Sequence, residues 1–173
     1  SHSAGAEIAN TYAFAEDDPL YWALGRQPHP DNLKLSYGCE IANHLGAILE
    51  CDAESSSSND RIIRTTRQYL EEEGDKPDLI IIGWATWERE EWLHNGTYYQ
   101  LTASGTDIVP PELHTQYKEW VIEKANTYAE DEIRNYSKIW QFHKELNELD
   151  IPHLFFNTYL SKFFNSPLNV FFV

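Results

Sequence analysis

The sequence predicts an α/β domain in which helices cover both faces of a parallel sheet, a three-layer α/β/α arrangement. Three observations lead there. Residues 78–83 hold the unbroken apolar run Leu79-Ile80-Ile81-Ile82. That pattern suits a parallel strand covered on both faces better than a half-exposed strand, whose polarity alternates. Residues 151–159 form a second segment of this kind, and 169–173 begin a third. Helix-patterned segments separate the strand-like ones, and an order of strand, helix, strand, helices, strand gives a parallel sheet with right-handed crossovers.

In chain order, residues 4–13 are small and weakly helical, and 16–32 form a loop rich in acids, proline and aromatics. Residues 38–45 read as a short helix with Ile41 and Leu45 on one face, 47–51 as a short apolar strand, and 52–58 as a polar turn. Ser58 is the N-cap of the next helix, with Asp60 in its first turn. That helix runs to about Glu73, turns Ile62, Ile63, Thr66 and Leu70 inward, and stops at residues 74–77. After the strand at 78–83, residues 84–91 read as a loop or a first helical turn. Residues 94–111 form an extended excursion, with alternation at 98–101 and a Ser104-Gly105 turn. Residues 112–149 are helical in two pieces. Tyr117, Trp120 and Val121 mark the inner face of the first, and Ile133, Tyr136, Trp140, His143 and Leu146 that of the second.

A chain of 173 residues, 42% of them hydrophobic, supports one domain with a real core. A net charge of −15 with no basic stripe disfavours nucleic acid as a partner, and an anionic membrane surface would repel the chain. No apolar run reaches the length of a membrane-spanning helix. The acidity reads as a source of solubility, in the cytoplasm or on a virion. Cys39 and Cys51 have no metal or redox spacing and read as reduced, partly buried thiols, with a single disulfide left open. The lack of methionine and the stop at Asn169-Val170-Phe171-Phe172-Val173 in mid-strand predict an incomplete chain.

Ligands of open parallel sheets sit beyond the carboxyl ends of the strands. Residues 1–5, 52–60 and 83–89 fall on that edge. Residues 52–60 place short polar side chains before a helix N-terminus, where backbone N–H groups stabilise a phosphate or a tetrahedral oxyanion. Asn59 adds an amide donor. The plainer reading is a serine-rich turn with an ordinary helix cap. Gly83 permits a tight exit from the strand, Thr86 can donate to a ligand, and Arg89 can clamp a carboxylate. The plainer reading packs Trp84 and Trp87 on the sheet edge and turns Glu88, Arg89, Glu90 and Glu91 to solvent on a helix face. Ser1-His2-Ser3-Ala4-Gly5 is either native or the remnant of a tag. His29, His44, His94, His114 and His153 fall in no triad-like context, and His143 reads as a hydrogen-bonded residue on an apolar helix face. No metal-ligand spacing and no phosphate-cradling glycine loop occurs, so neither metal nor cofactor is expected.

Three blocks carry a resemblance. Ser1-His2-Ser3-Ala4-Gly5 matches the G-D-S-x-S-x-G opening of the SGNH (GDSL-type) hydrolase superfamily from its serine onward. Ser57-Ser58-Asn59-Asp60-Arg61-Ile62 resembles the second block of a phage-type branch, with serines at the glycine positions. Pro77-Asp78-Leu79-Ile80-Ile81-Ile82-Gly83 matches the strand before the third block, which reads Gly83-Trp84-Ala85-Thr86 in place of G-x-N-D. The fourth block, D-x-x-H, has no counterpart in the chain.

This resemblance implies a flavodoxin-like α/β/α fold and a serine esterase acting on an acyl ester, such as an acetylated carbohydrate. Ser1 is then the nucleophile. Its own N–H, a backbone N–H near Ser57 and the Asn59 amide hold the oxyanion, with Asn59 standing in for the missing third-block Asn. Ser58, Gly83, Trp84 and Thr86 line the substrate, and the base histidine comes from residues not in this chain. The rival class is a catalytically inactive virion or carbohydrate-binding protein of the same fold. The surplus of Trp84, Trp87, Trp92, Tyr98 and Tyr99 supports that class, and a small-ligand or nucleotide binder rests on fold analogy alone.

Overall fold

A computed structural model describes residues 33–54, 56–72, 76–103, 105 and 109–158. The chain divides into two compact units, Ser1–Ser57 and Ser58–Val173.

In the first unit, helix α1 (Tyr37–Leu45) starts at Ser36, whose hydroxyl accepts a hydrogen bond from Cys39 N at 3.2 Å. It ends at Gly46, whose φ of 65° is the left-handed conformation that glycine adopts freely. Gly38 approaches Leu49, and Ala42 is the buried face of the helix. The strand expected at 47–51 is not formed: these residues have no regular structure, and Ile48 is 92% exposed. Apolarity over five residues does not make a strand without a pairing partner, and none pairs with it among the described residues.

The second unit opens with helix α2 (Asn59–Glu72), capped by Ser58, whose hydroxyl accepts from Arg61 N at 3.2 Å. Strand β1 (Ile80–Trp84) follows, then β2 (Glu90–His94) and β3 (Thr97–Leu101). A 3₁₀ turn (Pro111–Leu113) leads into helix α3 (His114–Asn126), helix α4 (Tyr128–Glu148) and strand β4 (His153–Asn157). The unit is thus mixed α/β. As expected, β1 and β4 pair in parallel, with Ile80 opposite His153 and Trp84 opposite Asn157.

One face of this pair carries the main core. Ile82 and Trp84 of β1 and Phe155 of β4 pack with Ile63 of α2, Phe142 and Leu146 of α4, and Ile151. Both helices of this core therefore lie on the same side of the sheet. Ile81, Gly83, Leu154 and Phe156 alternate to the other side and are half-buried.

The inner face of α4 differs from the one expected. Phe142 and Leu146 are buried, while Ile133 and Trp140 are 67% and 56% exposed. The stripe that packs is Ile139, Phe142 and Leu146. Of the expected set Leu146 does pack in the core, while Ile133 and Trp140 lie on a face rotated away from the stripe.

The segment between β1 and α3 also differs. Residues 84–91 are neither loop nor helix throughout, because β1 extends to Trp84 and β2 begins at Glu90. The excursion after His94 is the second half of an antiparallel hairpin, with Trp92 opposite Tyr99. Asn95 and Gly96 have φ of 49° and 78°. Two successive positive values make the tight two-residue turn that Asn-Gly favours. The hairpin builds a second core with α3, from Leu101, Val109, Tyr117 and Trp120, flanked by Trp92 and Tyr99.

Gly83 has a packing reason to be glycine. A Cβ there would lie 2.8 Å from Phe156 Cζ and 3.0 Å from Thr158 Cγ2. Gly83→Ala is expected to destabilise the protein by about 1–3 kcal/mol through overpacking, read as a lower urea midpoint. An unchanged midpoint would show that Phe156 moves aside freely.

Candidate functional site

The carboxyl end of β1 meets the N-terminus of α2 through one side chain. Asn59, the first residue of α2, is 2% exposed. Its Oδ1 accepts from Ala85 N at 2.8 Å, and its Nδ2 donates to Ala85 O at 3.0 Å. The carboxamide thus pairs with both backbone groups of the residue following β1, as a neighbouring strand would. The second Nδ2 hydrogen goes to Asn135 Oδ1 of α4, also at 3.0 Å. Both amide hydrogens of Asn59 are engaged. Beside this latch, the hydroxyl of Thr158 donates to Trp84 O at 2.6 Å and ties the end of β4 to the end of β1.

A second network holds the turn before α2. Ser58 N donates to Gln100 Oε1 of β3 at 3.0 Å, and Gln100 Nε2 donates to Glu91 Oε1 at 2.6 Å. Arg64 of α2 grips the same carboxylate with two hydrogen bonds of 2.7 and 2.8 Å. The Arg64 guanidinium also lies over the Tyr98 ring, 3.9 Å from its centroid. The Glu91 side chain is only 5% exposed. Glu91 is therefore an interior ion-pair partner and not the solvated acid expected. Its neighbour Glu90 pairs with Lys124 of α3. Lys124 also lies 3.3 Å from Asp131, which Arg134 approaches at 2.9 Å. Burial raises the Asp131 carboxyl, but hydrogen bonds from Thr127 and Lys124 and the charges of Lys124 and Arg134 outweigh it, holding the group below its ordinary range.

The expected site residues fall as follows. Ser1 lies outside the described residues. Ser57 is buried in the first unit, its hydroxyl donating to Glu54 O at 2.8 Å. Ser58 is fully buried, with its hydroxyl engaged in the helix cap and its N–H held by Gln100. Gly83 lies within β1 against Phe156. Trp84 is a core side chain, edge-on to Phe155 at 4.9 Å and to Phe142 at 6.3 Å, and is only 2% exposed. Thr86 is half-buried, its hydroxyl 3.2 Å from Glu88 Oε2. Trp87 meets Tyr128 edge-on at 4.2 Å.

The structure thus brings Asn59 to Ala85, next to Thr86. Gln100, Glu91, Arg64 and Asn135 were not expected in these roles. Glu91, Gln100 and Asn135 reach the site from elements distant in sequence, so no local spacing marks them, and Arg64 of α2 is engaged through Glu91, 27 residues away. Among the described residues, no group of three or more His, Cys, Asp or Glu could hold a metal ion, and no helix is long and apolar enough to cross a membrane. No protein-family model matches the chain, and neither a curated protein nor a solved structure shows significant similarity to it.

Proposed function

We propose that the chain forms the core of a serine ester hydrolase of the SGNH/GDSL type, acting on an acyl ester of the acetylated-carbohydrate class. One observation carries this reading. The Asn59 carboxamide fastens the S-S-N-D-R-I segment to the backbone just past the carboxyl end of a parallel strand. That is the edge where open α/β sheets hold ligands. In this reading Ser1 attacks the acyl carbon, a histidine outside the described residues takes its proton, and backbone N–H groups steady the oxyanion. Asn59 serves chiefly to position the two segments, because both its amide hydrogens are already engaged. The flavodoxin-like three-layer arrangement belongs to the same reading. The half-buried second face of β1 and β4, with Ile81, Leu154 and Phe156, suits another helical layer.

The test is hydrolysis of an aryl acetate by the protein carrying this chain. Turnover that disappears in Ser1→Ala is the expected result. Turnover indifferent to Ser1, or none across a broad ester panel, sinks the proposal. The saturated Asn59 amide favours a second reading, a carbohydrate-binding protein that kept the fold without the chemistry. Its mark would be glycan binding that weakens in Trp87→Ala, with no esterase activity. Trp84 offers that reading no support, since its ring lies in the core.

A further inference from the structure

Two histidines that the candidate site does not use meet at the opposite end of β4. His153 opens the strand, and His143 lies in the last two turns of α4. His143 Nδ1 is 2.7 Å from His153 Nε2. The ring centroids are 4.9 Å apart, close to the sum of that contact and the two centroid-to-nitrogen distances. The two nitrogens therefore point at each other along one line.

The outer nitrogens are engaged as well. His153 Nδ1 lies 2.8 Å from Ile151 O, and Asn147 Nδ2 lies 3.0 Å from His143 Nε2. A carbonyl oxygen only accepts, so His153 carries a proton on Nδ1 and offers Nε2 as an acceptor. His143 then donates from Nδ1, and its Nε2 accepts from the Asn147 amide. This single tautomer assignment, with both rings neutral, satisfies all four ring nitrogens of the pair.

We propose that His143 and His153 form a proton-operated latch that fastens the end of α4 to the start of β4 and opens in acid. A first proton fits. It enters at His143 Nε2, Asn147 turns its amide oxygen to receive it, and the shared hydrogen passes from His143 Nδ1 to His153 Nε2. A second proton does not fit, because it sets one N–H against another at the same contact.

Among the described residues, the surroundings supply no counter-charge. On α4, Lys144 and Glu148 are exposed and Glu145 is held by Arg67 of α2. Asp150 is exposed in the turn before β4, and Lys76 donates to Leu149 O in that turn. β1 carries no titratable side chain, and β4 none besides His153. Burial, and then the charge of His153, hold His143 below its ordinary value of 6.5. An unfolded chain takes up this proton first as pH falls. The stabilisation is thus whole above 6.5 and is lost as pH drops through the depressed value.

The geometry suits a proton better than a metal. Two Zn–N bonds of about 2.0–2.1 Å meeting at a tetrahedral angle hold their nitrogens about 3.3 Å apart, with converging lone pairs.

The experiment is nitrogen-15 NMR of the imidazoles of the intact protein from pH 8 to pH 5, with Tm measured in parallel. His143 is expected to titrate below the ordinary histidine value in the wild type and to move up toward it in His153→Phe and in His153→Gln. Between pH 7 and pH 5 the wild type should lose about 3 °C more in Tm than the variant lacking both histidines. A His143 titration that ignores both His153 substitutions overturns the latch, as does an equal loss of Tm in wild type and double variant. Zinc raising Tm only when both histidines are present also overturns it, in favour of a metal site.

Discussion

Asn59→Ala is expected to lower stability by about 3 kcal/mol, measured as a loss in urea midpoint at constant slope. The change removes three hydrogen bonds at once and leaves both backbone groups of Ala85 without the partner that faces them. A buried polar group left unsatisfied costs about 1–3 kcal/mol, and Ala85 is half-buried, so water recovers part of the loss. Asn135→Ala removes only one of the three bonds and should cost about 1 kcal/mol. The two losses should not add, because they share an interaction. Ester turnover separates positioning from chemistry. A drop of roughly a hundredfold to a thousandfold in Asn59→Ala, with the urea midpoint unmoved, would make the amide an oxyanion donor after all.

Phe142→Ala should be at least as damaging, about 3–5 kcal/mol by thermal or denaturant unfolding. The ring has no exposure and lies parallel to Phe155 at 6.2 Å between centroids, with Trp84 edge-on to it. Arg67 covers it at 5.6 Å, so the void left by truncation has walls from α2, β1 and β4 and little means of collapsing. Trp140 is a built-in control. It lies two residues earlier on the same helix and is 56% exposed, so Trp140→Ala should stay within about 0.5 kcal/mol. Equal losses in the two variants would put α4 in the wrong rotational phase.

The strands expected at residues 78–83 and 151–159 were legible because their centres, Leu79–Ile82 and Leu154–Phe156, are unbroken apolar runs, a pattern few alternatives share. The N-cap at Ser58 was legible because a short polar side chain before an amphipathic run has a local purpose. The hairpin was missed although its signal is present. Asn95-Gly96 separates Glu90–His94 from Thr97–Leu101, but the first of these, with two glutamates, does not read as a strand. Only Arg64, Gln100 and Lys124 make those acids tolerable inside a sheet, and all three come from elsewhere in the chain. The face of α4 was misread because Ile133, Tyr136 and Trp140 outline an apolar stripe as convincing as the one that packs. At the site, Ser58 was expected as a cap and Asn59 as an amide donor to a ligand, and the protein partners that engage them could not be named. A carboxamide that pairs with a backbone 26 residues away leaves no periodic trace.

The two clusters of the second unit differ in how far their chain segments must travel to meet. The hairpin closes across two residues and α3 follows it after residues 102–113, so that cluster is built from contacts close in sequence. β1 has to wait for β4, whose His153 meets Ile80 only after the hairpin, α3 and α4 have been gathered into the intervening loop. Closing such a loop loses entropy before any contact repays it. The parallel pair is thus the slower contact to form, whereas the Asn59 clamp on Ala85 spans only 26 residues and does not wait for β4.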